Sequence, residues 1–472
     1  MAQIYNNFNQ AQQQLADIAA IDYFFAREML KALTVNRDLP VEQATILMHL
    51  FMALSISLRA GHTCLPLTEM STVHWALDFD EQGQCNHQGY VFPNKEILAS
   101  LLTELNIDAK AQQPLVFDNN NLYMRRYYQF ECELAQGINA RLAQNNPVSL
   151  DEVSAIVSQL FPPVQTEQAG QAELEQQAEI DWQKIAVANA INKNFTVIAG
   201  GPGTGKTYTV TKLLAALLML TPNSDKKILD IALVAPTGKA AQRLSESIIQ
   251  AIAGFKGLID DDILAAIPRQ AKTIHRLLGV IPNSPNFRHN QKNLLRCDVL
   301  LIDEVSMVDL PMMARVFRAL KVETKIILLG DADQLPSVAV GRVLADIAPR
   351  PHYGYSSENV NYLADVCQLD LKQLKQVKRT FEQDKLTREA SNDHLSFLIK
   401  SRRFDGEGGI GKLAAKVIQG QATQSWHLLA SSANKESSTG QKPSTSKESS
   451  TGKESSTGKE SSTGKESSAS KA

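Results

Sequence analysis

The sequence predicts an α/β protein in which a helical N-terminal domain precedes a nucleotide-binding core built on a parallel sheet. Two observations carry that expectation. A glycine-rich loop ending in Gly-Lys-Thr sits between an apolar strand-like run and a helix-like run at 195–218. From about residue 180 to 350, short apolar runs alternate with helical stretches, the pattern of a parallel sheet covered on both faces. A third observation bounds the fold: from Lys435 the chain is Lys-Glu-Ser-Ser-Thr-Gly in repeat, which has nothing apolar to bury and is expected to be disordered.

At 472 residues the chain has room for two to four domains. Its 43% hydrophobic and 21% charged residues are those of an ordinary globular protein. A formal net charge of −2 gives no global electrostatic attraction to nucleic acid, so any such binding needs a local patch. Five cysteines without a Cys-x-x-Cys pair point to a reducing compartment. No basic segment followed by an apolar one opens the chain, and no apolar stretch of about 18 residues is expected to span a membrane. The expected location is cytoplasmic.

Residues 1–110 read as a helical domain for partner binding. Ile21, Phe24, Phe25, Met29 and Leu33 recur at helical spacing, and 45–58 is a second, more apolar helix. His62, Cys64, Cys85 and His87 can be written as four zinc ligands, but single-residue spacing is unlike structural zinc sites. A packed cysteine with surface or capping histidines is the reading preferred here. Residues 111–180 read as a helical segment and linker. Leu122–Leu134 is basic and aromatic, suited either to stacking on nucleic acid or to packing under its own arginines, and packing is preferred. The Gln/Glu-rich stretch at 162–179 reads as a connector.

Residues 181–350 form the expected core, with strands at 195–199, 228–234, 299–302 and 325–329. In the loop Gly200, Gly201, Pro202, Gly203, Thr204, Gly205, Lys206 and Thr207, glycines let successive N–H groups converge on phosphate oxygens. Lys206 would reach the β- and γ-phosphates of ATP, and the Thr207 hydroxyl would hold Mg²⁺. Asp303 and Glu304 follow a buried strand. Asp303 would hold Mg²⁺ and Glu304 would polarise the attacking water, the alternative being that the pair caps the next helix. Gln334, in Gly330-Asp-Ala-Asp-Gln334, could report the γ-phosphate; simple turn chemistry remains the other reading of that segment.

Five segments together resemble the superfamily-1 DNA helicases, and their wording is similar to the RecD subunit family of the RecBCD exonuclease V complex. They are the 200–207 loop, Ala235-Pro-Thr-Gly-Lys-Ala-Ala-Gln-Arg-Leu-Ser245, Thr273-Ile-His-Arg-Leu-Leu-Gly279, Ile302-Asp-Glu-Val-Ser-Met307 and Gly330-Asp-Ala-Asp-Gln-Leu-Pro-Ser-Val338. The resemblance implies a RecA-like P-loop core. It gives Gln183 the recognition of adenine, and Thr237, Lys239, Thr273 and His275 contacts to phosphates of single-stranded DNA. Helix capping and a solvated lysine are the ordinary alternative for those four. In Lys400-Ser-Arg-Arg403-Phe404 it makes Arg403 the arginine that reaches the γ-phosphate from a second RecA-like core, a surface Arg-Arg pair being the ordinary alternative.

Residues 351–433 are accordingly expected to open a second core. Two later motifs of the family are not found there, so that core is expected to be truncated before the disordered repeat at 434–472. The activity implied is an ATP-dependent 5′-to-3′ DNA helicase acting on single-stranded and duplex-end DNA with RecB and RecC subunits, in double-strand-break repair, recombination and degradation of linear DNA. The resemblance places the nuclease centre in RecB. A second expectation is an ATP-binding and partner-docking fragment that cannot translocate. A third, a ring-forming AAA+ ATPase, accounts for Lys206, Asp303 and Glu304 but not for Gln334 or the 273–279 segment.

Overall fold

The computed structural model of the chain describes residues 5–35, 38–144, 148–162, 180–221, 229–334, 337, 339–350, 352, 354–369, 373, 392–399, 409–418 and 420–437. They fall into two compact units, Met1–Asp405 and Gly406–Ala472.

The first unit opens with α1 (Phe8–Gln14), α2 (Ala20–Leu33) and α3 (Val41–Arg59). By length and composition α3 is apolar enough to cross a membrane, contrary to the expectation that no stretch reaches that length. Its apolar side chains are spent on the domain core: Leu50, Phe51, Met52 and Leu54 have essentially no exposed surface. Beneath α3, Asp22 is fully buried and accepts hydrogen bonds from Ser55 Oγ (2.7 Å), Arg59 Nη2 (2.7 Å) and the Ala19 amide (2.8 Å). Three residues replace the water that a buried carboxylate gives up.

The rest of this domain is less helical than its sequence suggests. After β1 (Cys64–Pro66) and α4 (Leu67–Met70), β2 (His74–Phe79) and β3 (Cys85–Val91) form an antiparallel hairpin. Then come α5 (Lys95–Glu104), β4 (Leu115–Asp118) and β5 (Asn121–Met124), which joins β1 and β4 in a three-stranded sheet. That sheet crosses the expected boundary at 110. Strands of three or four residues are too short to show an alternation. Cys64 and Cys85 lie in different sheets, and among the described residues no cluster of His, Cys, Asp and Glu could hold a metal ion.

Most of the basic, aromatic stretch at 122–134 opens helix α6 (Arg125–Leu142), and the helix uses its arginines in packing. Arg126 lies over Tyr127, Glu133 pairs with Arg318 from the core, and Arg141 donates to the carbonyls of Thr324 and Lys321. Gly137 lets α6 approach Phe317, whose ring stands where a Cβ would be. The N-terminal part is thereby fastened to the core.

The core runs through α7 (Leu150–Leu160), α8 (Trp182–Ile191), β6 (Phe195–Gly200), α9 (Lys206–Met219), β7 (Ile231–Ala235), α10 (Gly238–Gly254), α11 (Asp261–Ala266), β8 (Lys272–Thr273) and α12 (Ile274–Leu278). It continues with β9 (Val299–Ile302), a 3₁₀ turn (Val305–Met307), α13 (Leu310–Arg318), β10 (Lys325–Gly330), α14 (Val343–Ile347), α15 (Ser357–Cys367) and β11 (Leu395–Leu398). The six strands lie in the order β11-β6-β10-β9-β7-β8, every pair parallel. Successive residues of one strand feed opposite faces. Ile198, Leu301 and Ile327 enter the hydrophobic core on one side; Val197, Leu300 and Ile326 enter the core on the other.

Strand β11 lies beyond residue 350, in the stretch that sequence alone places at the opening of a second core, yet it pairs with β6. Four consecutive buried residues, Leu-Ser-Phe-Leu, do not announce which sheet they will join. The second unit is described as α16 (Gly409–Ile418) and α17 (Ala422–Ser437). Arg403, most of the 162–179 connector and the repeat from 438 onward lie outside the described residues.

Candidate nucleotide-binding site

All three acidic and phosphate-binding motifs emerge from the carboxyl ends of adjacent strands, where parallel sheets place their ligands. Strand β6 leads into the loop and β9 ends at Asp303. Between them lies β10, whose end leads to Gln334.

The loop is shaped by two glycines in the left-handed region, Gly203 (φ 78°) and Gly205 (φ 83°). Gly205 is also the N-cap of α9, so the helix begins at Lys206 with its first amides directed at the loop. A Cβ on Gly205 would stand 2.4 Å from Gln183 Nε2. That amide group donates to the Thr204 carbonyl (2.9 Å), while Thr204 Oγ1 donates to the Gly201 carbonyl (2.9 Å). Gly200 must be bare as well, because a Cβ there would meet Thr204 Oγ1 at 2.7 Å. Lys206 Nζ donates to the carbonyls of Gly200 (2.6 Å) and Gly201 (3.1 Å), which holds the ammonium across the loop. Thr207 is half-buried in the first turn of α9; Pro202 is exposed at the loop tip.

Gln183 sits in the first turn of α8, capped by Asp181, and is 6% exposed. Its Oε1 is buried without a hydrogen-bond partner. A buried amide that grips the loop with its donor and leaves its acceptor unused is the kind of exception that points to a ligand.

Asp303 is half-buried and accepts the Glu304 amide (2.9 Å). Burial pushes its carboxyl up to about 6, against the pull of the Lys206 ammonium, so the two motifs lie within electrostatic reach. Glu304 is a non-glycine residue in the left-handed region (φ 52°) and caps the 3₁₀ turn through its backbone geometry. Such a residue costs about 1–3 kcal/mol, and strain of this kind gathers at functional sites. Gln334 is exposed, and its amide donates to the Asp331 carbonyl at 3.2 Å.

Two residues near Gln334 were not singled out by sequence. Ser306 and Arg342 line a cavity of about 110 Å³ together with Asp331 and Gln334. Ser306 Oγ is buried and unpartnered. The signal was present, since Ser306 lies inside the Ile302–Met307 motif, but a serine two residues past an acidic pair has no chemistry that a pattern reveals.

Thr237, Lys239, Thr273 and His275 lie at the same carboxyl end but toward one edge of the sheet. Strands β7 and β8 pair Ala235 with Thr273, so the two segments leave the same edge side by side. Thr237 caps α10 through the Ala240 amide, and Thr273 caps α12 through the Arg276 amide. Lys239 and His275 are exposed, and His275 meets Phe287 edge to face.

Residues 14–123 match the family model of the RecBCD enzyme subunit RecD, N-terminal domain, and residues 183–340 match that of an AAA domain. The RecBCD enzyme subunit RecD of Haemophilus influenzae is 42% identical over 323 residues, 67% of this chain and 46% of that protein. Its counterpart in Buchnera aphidicola (subsp. Acyrthosiphon pisum) is 32% identical over 306 residues, 65% of this chain and 46% of that protein. The ATP-dependent RecD2 DNA helicase of Deinococcus radiodurans is 39% identical over 154 residues, 33% of this chain and 18% of that protein. The chain spans about half the length of the RecD relatives it matches. A RecD N-terminal domain followed by a P-loop core, with the same relatives similar across both, makes this chain a member of the RecD family.

Proposed function

We propose that the chain binds and hydrolyses ATP at the loop of residues 200–207 and works as the motor part of a DNA helicase subunit. Its expected partners are RecB and RecC, its substrates single-stranded DNA and duplex ends, and its direction 5′ to 3′. Double-strand-break repair, recombination and degradation of linear DNA in the cytoplasm are the processes it would serve. One observation carries the reading: the loop that ends in Lys206 follows β6, Asp303 follows β9, and Gln334 follows β10, the strand between those two.

The residues fit the nucleotide. Gln183 offers a buried acceptor beside the loop, suited to the exocyclic amino group of adenine. Amides of 203–207 and the start of α9 present donors to phosphate oxygens. Lys206 would exchange its two carbonyl partners for the β- and γ-phosphates, trading neutral acceptors for charged ones. Thr207 and Asp303 would hold Mg²⁺, which when bound neutralises charge between the β- and γ-phosphates. Glu304 would orient the attacking water, and Gln334 would hydrogen-bond the γ-phosphate and register its loss. Thr237, Lys239, Thr273 and His275 would track the DNA backbone, contacts that carry position and not sequence. Arg403 would stabilise the leaving phosphate from outside the first core.

A second reading keeps binding and docking without stepping. Its ground is that one parallel nucleotide-binding sheet is found among the described residues, whereas stepping along a strand needs two cores that open and close. ATP turnover with and without single-stranded DNA, in wild type and Lys206→Ala, separates the readings. DNA-stimulated turnover that Lys206→Ala abolishes supports the motor. Binding of ATP with no turnover in either protein supports the second reading.

A further inference from the structure

The Gly61-His-Thr-Cys-Leu65 segment, at the end of the central helix α3, has no part in the chemistry above. It nevertheless touches the chain that leaves the sensor glutamine. Gly61 ends α3 in a left-handed turn (φ 89°), and its carbonyl accepts the Gly341 amide at 2.9 Å. The neighbouring Val340 carbonyl accepts the Leu310 amide at 3.2 Å. Residues 340–341 are thus held between the N-terminal domain on one side and the first turn of α13 on the other.

Gly341 has no room to be anything else. It adopts φ 99°, and a Cβ there would stand 2.5 Å from Leu310 Cβ and 3.4 Å from Thr63 Cγ2. Thr63 in turn hydrogen-bonds Glu131 of α6, as does Tyr123 of β5, so the turn is tied to two further elements of the N-terminal part. On the core side, α14 follows Gly341 directly. Its Leu344 packs over Gly330, the last residue of β10, with Cδ2 standing 2.6 Å from where a Cβ would be. The cavity that Gln334 shares with Arg342 and Leu344 closes the connection. A shift of the 331–334 turn therefore meets α14, and α14 cannot move without pulling on Gly341.

We infer that the Gly61–Thr63 turn and Gly341 form a latch that passes the nucleotide state sensed at Gln334 to the N-terminal domain, with Gly341 and Thr63 as positioning residues. The inference rests on the ATP reading above and adds to it a direction of communication. By reciprocity, whatever binds the N-terminal domain and favours one state of the latch changes ATP affinity by the same factor. Packed elements with two arrangements transmit such shifts, and a backbone hydrogen bond between two glycines at φ 89° and 99° is a joint with few alternative positions.

Hydrogen–deuterium exchange on the full chain tests it, with and without the slowly hydrolysed analogue MgATPγS, in wild type, Gly341→Ala and Thr63→Val. The peptide spanning 198–208 reports nucleotide binding, and the peptide spanning 58–66 reports the latch. In wild type both are expected to respond, the latter by about threefold or more in rate. In Gly341→Ala the response at 58–66 is lost while the analogue concentration for half-protection at 198–208 stays within about twofold. Thr63→Val keeps the shape of the side chain and guards against a Gly341 variant that does not fold; it is expected to weaken the same response. Protection at 198–208 with no response at 58–66 in wild type overturns the latch alone. An undiminished response in both variants does so too. No protection at 198–208 in wild type overturns the ATP reading and takes the latch with it.

Discussion

The N-terminal domain and the core are both well packed, but they spend their polar residues differently. In the N-terminal domain the two most deeply buried ionisable groups, Asp22 and His49, are satisfied inward, although His87 Nδ1 is not. Asp22 takes donors from Ala19, Ser55 and Arg59, and His49 is closed on both nitrogens: Nδ1 donates to the Thr45 carbonyl and Nε2 accepts the Tyr5 hydroxyl, each at 2.7 Å. In the core two buried groups beside the motifs, Gln183 Oε1 and Ser306 Oγ, have no partner, while Ser158 Oγ, Thr196 Oγ1 and Asn392 Nδ2 are unpartnered away from them. Asp22 and His49 are closed on their own domain, whereas Gln183 and Ser306 leave an atom open beside the loop and the acidic pair. That difference separates a scaffold from a site, and substitutions at five positions can break or sharpen it.

The largest effect is expected at Lys206→Ala. On the ATP reading the lysine would place a positive charge where charge grows on the transferring phosphoryl, so turnover should fall by about 10²–10³-fold or more. Its bonds in the chain are to two loop carbonyls at a partly exposed position, so thermal unfolding should move little. A change in melting temperature as large as that of a core mutation would mean that Lys206 is scaffold.

Phe51→Ala is the converse. Phe51 is fully buried in α3, and its loss should destabilise the N-terminal domain by about 3–5 kcal/mol. Nucleotide binding at 198–208 should survive, measured by fluorescence of a labelled ATP analogue below the unfolding transition. Loss of binding in a folded variant would show that the two regions are one thermodynamic unit.

A pH series asks whether the regions share a weakness. Burial pushes His49 in the N-terminal domain and His352 in the core down to about 4, from an ordinary value near 6.5. Both are neutral when folded and readily protonated when unfolded. Between about 6.5 and 4 the unfolded chain therefore binds more protons, so stability falls as pH drops through that window. Each histidine accounts for on the order of 3 kcal/mol once pH is below about 4. His49→Phe should flatten the pH dependence of N-terminal unfolding and leave that of the core, which denaturant unfolding at pH 7 and pH 5 would resolve.

The same contrast explains what could be read from sequence. The core was legible because phosphate chemistry fixes residue types at fixed spacing: glycines where φ is positive at 203 and 205, a lysine at the helix start, carboxylates at a strand end. Four of its six strands are apolar runs flanked by helices. The other two are β8, only Lys272–Thr273, and β11, whose partner is set by tertiary pairing with β6. In the N-terminal domain the helices showed their period, but β1, β4 and β5 are three or four residues long and carry none. Ser306 and Gly341 matter through what stands next to them in space, and no local pattern records that.

The smallest effect is the most discriminating, because Thr237 is assigned two jobs. Its side chain accepts the Ala240 amide as the N-cap of α10, and it is exposed at the edge where β7 and β8 end. Thr237→Ala removes both functions and should cost about 1 kcal/mol of stability. Thr237→Asn keeps a capping oxygen, so its stability should return to the wild-type level. If the hydroxyl also meets a DNA phosphate, the Asn variant will bind single-stranded DNA more weakly while melting normally. Lys239→Ala then supplies the scale: removing one phosphate-neutralising charge should lower the slope of log affinity against log salt by about one, without changing the cap. Should Thr237→Asn match wild type in both melting and DNA affinity, the threonine is a cap alone, and the DNA track at this edge shifts to Lys239 and His275, whose side chains are exposed.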